Sequence, residues 1–424
     1  MGVMIAQSLD KQLPHGVADL FFNDAARKRA VERALADTFA RWGYSEIIPP
    51  MFEYYESLAA EAGPQLREEI YRFFDRDGRT LALRADFTIP TARIVGTKLF
   101  DRAMPLRFFY IGSVFRYEEP QAGVRREFTQ AGIELIGANT ADADAEAIAL
   151  AMTALSATGL NDFRFTLSNA AFLQATLCDL ALSDADDTAL RDAIRRKNAT
   201  ALAQRLAALN LDTTRTRALA QLPTLWGNAD VLDRAICIND DARAAVERLR
   251  DVVARLAQFG LADFVTLDLA ENRGMAYYTG ILFEGFVRGL GFAVASGGRY
   301  DHLIAHFGHD LPAVGFAIGV ERVMMLQRTR ASIAPDVIAQ ICDARVFDAR
   351  AGGQAVEVDV SNRDDAALRE YARVRGAREI WWRDGRIESV IASEAKQSPN
   401  RKLETPTLAC GASVALSAKN ASSQ

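Results

Sequence analysis

Hydrophobic and polar positions along this chain change period several times, and each change predicts an element. Val31, Leu35, Phe39 and Trp42 recur at helical spacing, and Gly43 ends the pattern. Asn23 or Asp24 suits the start of that helix as a cap. Ile47 and Ile48 then read as a short strand, which Pro49 and Pro50 keep out of a central ladder position. Strand patterns return over residues 71–74 and 81–84, either side of an Asp77-Gly78 turn, and a helix follows over 89–99. Asp86 and Thr88 fall at that strand-to-helix junction. A helix cap and a carboxylate at a pocket rim both fit Asp86, and the pattern leaves the two readings open.

The clearest strand signal is PLRFFYIGSVFRYEEPQAGVRREFTQAGIELIG, residues 105–137. Its arms, 107–117 and 127–136, are dominated by aromatic and β-branched residues. The loop between them carries Glu118, Glu119, Gln121, Arg125 and Arg126, with Pro120 and Gly123 as punctuation. Arg116 sits at the end of the first arm. Gln130 and Glu134 have equal parity on the second and share one face. An arginine with these partners on a sheet suits a small zwitterion.

Further along, the pattern predicts a helix over 142–158, a strand over Phe163–Asn169, and an all-helical insertion over 170–260. The arginines of ARAAVERLRDVVARLAQF read as a solvated face, because Glu247 and Asp251 are interspersed. Strands resume over 264–269, 277–287 and 292–298. NRGMAYYTG places Arg273, Tyr277 and Tyr278 together, GGRYDHLI follows, and AVGFAIGVERVMML passes from strand into a helix carrying Arg322. Polar side chains returning on strands of one antiparallel sheet suit a pocket for a small ligand. Residues 344–390 read as a small α/β unit, with strands near Val346 and over 356–360, a helix over 364–375, and a hairpin turning at Asp384-Gly385. Residues 391–424 are Ser/Ala/Lys-rich and aperiodic, which predicts disorder.

Composition narrows the function classes. With 424 residues, half of them hydrophobic, the chain has material for two or three domains. A net charge of −5 gives no general electrostatic footprint for nucleic acid. Cys178, Cys237, Cys342 and Cys410 lack metal-ligand spacing, which fits reduced thiols in a cytoplasmic protein. His302 and His306 lie one helical turn apart without an acidic partner that would make a zinc signature. No segment has the length and apolarity of a membrane span. The expectation is a cytoplasmic protein without metal or other cofactor.

Taken in order, these segments resemble the class II aminoacyl-tRNA synthetase family in its histidyl branch. That branch holds the histidyl-tRNA synthetases and a non-synthetase paralogue, the regulatory subunit of ATP phosphoribosyltransferase. LPHGVADLF resembles the family's opening motif, GYSEIIPPMFE its motif 1, FRYEEPQAGVRREFTQAGIELIG its motif 2, and GFAIGVERV its motif 3. NRGMAYYTG and GGRYDHLI resemble the two histidyl-specific motifs. The resemblance implies an α+β fold over residues 13–330, an antiparallel six-stranded sheet flanked by helices and dimeric through motif 1. It further implies that Asp86, Thr88 and Gln130 receive the α-ammonium of histidine. Arg116 and Arg273 would face its carboxylate, a task that suits an arginine fork. Glu134 and Tyr278, with Tyr277, would enclose the imidazole.

The departures point away from a synthetase. Val124 stands where the synthetases carry an arginine that contacts ATP phosphate, and Glu119 where they usually carry another. An anionic and a neutral group there remove electrostatic support for a polyphosphate. Ala276 replaces an aspartate, and DFT at 86–88 replaces EGT. The unit at 344–390 is short for the synthetases' anticodon-binding domain of roughly a hundred residues, a common domain size, so tRNA is not an expected partner. Within the branch, the resemblance favours the non-catalytic regulatory subunit. Its partners would be the short-form catalytic ATP phosphoribosyltransferase and a second copy of itself, and L-histidine its feedback effector. A histidyl-tRNA synthetase with a degenerate ATP loop and a catalytically silent dimeric interaction protein remain the alternatives.

Overall fold

The computed structural model describes residues 11–117, 125–178, 180, 182–209, 211–271, 277–327 and 334–390. Chain contacts separate two units, residues 1–332 and 333–424. The first is built on a large mixed sheet. Its spatial order is Ser45–Glu46, Leu106–Phe115, Glu127–Ile136, Ala313–Gly319, Ala295–Arg299, Ile281–Val287, Phe163–Asn169, Val265–Asp268 and Trp226–Gly227. The six strands from Leu106–Phe115 to Phe163–Asn169 pair antiparallel throughout. Ser45–Glu46 and Val265–Asp268 join that six-stranded body in parallel at its two sides.

Strand parity gives this sheet one apolar face and one polar face. Phe109, Ala131, Ile133, Leu135, Phe165, Leu167, Phe283 and Phe316 belong to one core with Val31, Leu35 and Phe39 of the helix Phe22–Arg41. The helix Ala141–Ala157 adds eleven buried apolar residues, seven of them alanines, whose small side chains let it lie close to its neighbours. Thr140 caps it by accepting from Ala143 N at 3.2 Å. The opposite face carries Glu134, Gln130, Ser296, Glu284, Ser168 and Thr166. A second core, with Leu58, Ala82, Ile89, Tyr277, Tyr300 and Leu303, adjoins the hairpin and includes Ala82 of the three-stranded sheet Phe52–Tyr54, Thr80–Leu83 and Arg72–Phe74.

Several local expectations are corrected. The first helix begins at Phe22 with Phe21 in the cap position, so Asp24 lies in the first turn, where a carboxylate complements the helix dipole. The short strand is Ser45–Glu46 rather than 47–48, because Ser45 and Glu46 pair with Phe108 and Phe109. The helix after Asp86 runs Thr88–Ile94 and continues as a π-helical turn, Val95–Leu99. Within 170–260 the helices are joined by a two-residue strand, Trp226–Gly227, which finds ladder partners in Leu267 and Asp268. The arginine-bearing helix Asp240–Gln258 is not simply a solvated face. Arg248 donates to Asp144 at 2.7 Å and Arg255 to Asp142 at 2.5 Å.

The second unit has a four-stranded sheet in the order Val356–Val358, Val337–Ala339, Glu379–Trp381 and Ile387–Ser389. The strand expected near Val346 is a helix, Ala344–Ala351, nucleated by Asp343, whose side chain accepts from Arg345 N at 3.1 Å. The strand that pairs there comes earlier, at Val337–Ala339. The predicted disordered stretch 391–424 lies outside the described residues.

Candidate functional site

On the polar face of the large sheet, register brings distant segments into rows. Glu134 pairs with Gly315, Gly315 with Gly298, Gly298 with Leu282, and Leu282 with Ser168. The neighbouring row runs Tyr110, Gly132, Ala317, Ser296, Glu284 and Thr166. Glycines let neighbouring groups pack directly onto these rows. A Cβ on Gly315 would fall 1.9 Å from Glu134 Oε2, and one on Gly132 only 2.1 Å from the Phe316 carbonyl oxygen. The hollow above is a cavity of about 740 Å³, within the range of roughly 300–1,000 Å³ typical of small-molecule sites.

Six of the eight expected site residues, Asp86, Thr88, Arg116, Gln130, Tyr277 and Tyr278, line this cavity. Arg273 lies outside the described residues, as do Glu119, Val124 and Ala276. Glu134 is 1% exposed and sits directly behind the lining, under Thr88, Gly315 and Tyr300. Thr88 Oγ1 donates to its Oε1 at 2.8 Å, the Tyr110 hydroxyl reaches the same oxygen at 3.4 Å, and Tyr300 donates to Oε2. Burial pushes the Glu134 carboxyl up to about 8, three hydroxyls oppose that shift, and the negative charge of Asp86 adds to it.

Asp86 lines the cavity, and the cap position of the following helix is held by Phe87 rather than by Asp86. Asp86 Oδ1 accepts from Ile89 N in the first turn at 3.2 Å, while Oδ2 is buried without a hydrogen-bond partner among the described residues. Burial raises its pKa, and Arg116 pulls the other way. Gln130 Oε1 is likewise buried and unpartnered among the described residues. Arg116 donates from Nε to the Ala85 carbonyl at 2.9 Å and lies 5.5 Å over the Phe128 ring, which fixes a cation at the cavity beside Asp86. The Tyr277 ring packs against Tyr278 and Tyr300, with centroids 5.0 and 5.7 Å away. Buried oxygens left without donors cost stability unless a ligand or water supplies the hydrogen. The arrangement can therefore take an ammonium at Asp86 and Gln130, a carboxylate at Arg116, and a flat polar group among the tyrosines.

Tyr110 and Tyr300 escaped the sequence reading. The signal for Tyr110 was parity: it stands opposite Gly132, between the positions facing Gln130 and Glu134. Tyr300 lies within GGRYDHLI, but nothing local to that segment points it at Glu134. Ser296, Glu284, Thr166, Ser168 and Glu271 also line the cavity and were not singled out.

Comparison with known proteins agrees with this fold. The histidyl-tRNA synthetase family profile matches residues 16–323. The chain is 41% identical to the ATP phosphoribosyltransferase regulatory subunit of Moorella thermoacetica over 388 residues, covering 89% of this chain and 99% of that one. It is 38% identical to the protein of the same name from Symbiobacterium thermophilum, over 87% and 96% of the two chains. A crystal structure described as an ATP phosphoribosyltransferase regulatory subunit/histidyl-tRNA synthetase from Bacillus halodurans C superposes with a TM-score of 0.78 at 29% identity, covering 89% of this chain and 99% of that one. Histidyl-tRNA synthetase from Nostoc sp. PCC 7120 shares the fold at 22% identity, with a TM-score of 0.74 and coverage of 88% and 92%. The α+β, class II synthetase-like fold expected from the motifs is thus the fold observed, and the chain belongs to the histidyl-tRNA synthetase-like family and, within it, to the ATP phosphoribosyltransferase regulatory subunits.

Proposed function

We propose that this chain acts as a regulatory rather than catalytic subunit, working with a short-form catalytic ATP phosphoribosyltransferase in the first step of histidine synthesis. Its cavity serves as the sensor for L-histidine, and histidine favours one quaternary state over another through that site. The observation that carries the sensor reading is the pair of buried, unpartnered acceptors, Asp86 Oδ2 and Gln130 Oε1, on a cavity that Arg116 also lines. A zwitterionic amino acid supplies the ammonium donors and the carboxylate that this set lacks. The chain self-associates through the segment around Ile48, Met51, Phe52 and Tyr54, all exposed in the single chain. It operates in the cytoplasm; among the described residues no helix is long and apolar enough to cross a membrane.

Calorimetry with L-histidine tests the sensor, with binding to the wild type and its loss in Asp86→Ala as the expected pair of results. Co-purification with a short-form catalytic subunit, assayed with and without histidine, tests the partnership, and no gain in phosphoribosyltransferase activity would count against it. Histidine-dependent ATP–pyrophosphate exchange by the purified chain would instead favour a synthetase.

A further inference from the structure

Residues 84–88 carry contacts to two different places on one short run. Asp86 and Thr88 line the cavity, and the Ala85 carbonyl holds Arg116 at 2.9 Å. Arg84 and Phe87 engage the other side. Arg84 is buried, and the carbonyls of Pro49, Pro50 and Met51 all accept from it. Its Nη1 reaches Pro49 at 2.8 Å and Pro50 at 3.4 Å, and its backbone N reaches Met51 at 3.0 Å. Nε donates to the Ser113 carbonyl at 2.8 Å. The guanidinium lies 4.1 Å over the Phe87 ring, which stacks at 4.3 Å on Tyr110. Gly112 leaves room for this stack, since a Cβ there would fall 2.8 Å from Arg84 Nη2 and 2.9 Å from Phe87 Cζ. Pro49 and Pro50 have no N–H to give to a ladder, so Arg84 fixes the link between the strands Ser45–Glu46 and Phe52–Tyr54. Exposed Ile48, Met51, Phe52 and Tyr54 flank or belong to that link.

Resting on the histidine-sensor and self-association readings above, we propose that Arg84 is a positioning residue that couples the cavity to residues 48–54, so that histidine strengthens the pairing of two copies of this chain. Asp86 Oδ2 gains a hydrogen-bond partner when an ammonium enters, and residues 84–88 lose freedom as one run. Arg84 passes that order to the carbonyls of residues 49–51, and the second copy then meets a surface already fixed. A ligand that orders what a second partner must also order lowers the cost of the second step, which is positive coupling. By reciprocity, pairing raises histidine affinity by the same factor.

The test is the dimer dissociation constant of the full chain by sedimentation, with and without saturating L-histidine, in the wild type and in Arg84→Lys. Lysine keeps the charge but, as a point donor, cannot hold the Pro49 and Ser113 carbonyls together or stack on Phe87. The expected wild-type constant falls about fivefold or more with histidine, within the usual range of such couplings. In Arg84→Lys the two constants converge, while calorimetry on dilute, unpaired chain still shows histidine binding. An arginine that only holds the fold would move both constants together and leave their ratio as in the wild type, and that result overturns the proposal. So does a wild-type constant that histidine does not change. No histidine binding to the wild type removes the sensor reading, and a chain that stays single at every concentration removes the self-association reading, each taking this inference with it. If Arg84→Lys fails to fold, hydrogen exchange on dilute wild type decides. Slower exchange of the amides over 47–54 on adding histidine supports the coupling, and unchanged exchange refutes it.

Discussion

Asp144 and Asp86 are both buried aspartates near the start of a helix, yet one lies in a closed arrangement and the other in an open one. Asp144 is fully buried and takes Arg299 on Oδ1, with Nε at 2.8 Å and Nη2 at 2.7 Å, and Arg248 on Oδ2 at 2.7 Å. Arg299 in turn reaches Asp301 at 2.9 Å and the Ala138 carbonyl at 3.1 Å. Asp86 has one oxygen on a backbone amide and the other without a partner among the described residues. Burying a charge is costly unless paired and hydrogen-bonded. The first cluster meets that condition within the fold, whereas the second meets it only when something enters the cavity. The contrast separates a cluster satisfied within the fold from one left open at the cavity.

The sharpest way to break the comparison is to remove one partner of each cluster. Asp144→Ala leaves Arg299 and Arg248 without their shared carboxylate and should cost about 3–5 kcal/mol of stability, as broken buried pairs do. Urea denaturation measures it, and a wild-type midpoint would show that the cluster is not what binds these elements. Asp86→Ala should do the reverse. Histidine affinity should fall by about 2–5 kcal/mol, while the denaturation midpoint moves less than in Asp144→Ala, because an unpaired oxygen leaves with the side chain. A stability loss as large as that of Asp144→Ala would erase the distinction.

The pH dependence sharpens it further. Folded Glu134 keeps its proton up to about 8, against an ordinary value of 4.5. Between those values the folded state binds more protons than the unfolded one, so stability falls as pH rises through that window and levels off above it. Asp86, also raised by burial, acts in the same sense. The slope is at most about 1.4 kcal/mol per pH unit for one such group. Melting temperatures measured across the window should decline in the wild type and decline less in Glu134→Gln. Equal slopes would remove Glu134 as the cause. The smallest effect expected is that of Tyr300→Phe. Losing one of three hydroxyls on Glu134 should cost on the order of 0.5–1.5 kcal/mol by denaturation, since Thr88 and Tyr110 remain in reach.

Much of the hairpin could be read from the chain itself. Its second arm, 127–136, is the observed strand Glu127–Ile136, and its alternation placed Gln130 and Glu134 on one face. Asp86 could be narrowed to two roles but not to one, because a cap is a local property and a cavity is not. Val346 was misread because a β-branched residue beside Phe347 suggests a strand, while the cap at Asp343 that starts a helix there is a weaker signal in the sequence. Tyr300 was missed for a different reason. It lies 166 positions from Glu134, and no periodicity relates two residues that meet through sheet pairing.

Sequence by itself determined what depends on near neighbours: the arms of the hairpin, which of their side chains share a face, and the residue types available for an ammonium, a carboxylate and an aromatic ring. Tertiary structure decided which face became the cavity and which became the core. It also decided that Glu134 lies behind the lining rather than on it, and that its carboxyl holds a proton to about 8. Those properties depend on the distance and dielectric between residues 86, 110, 134 and 300, which acquire a common surrounding only once the strands have paired and water has been excluded.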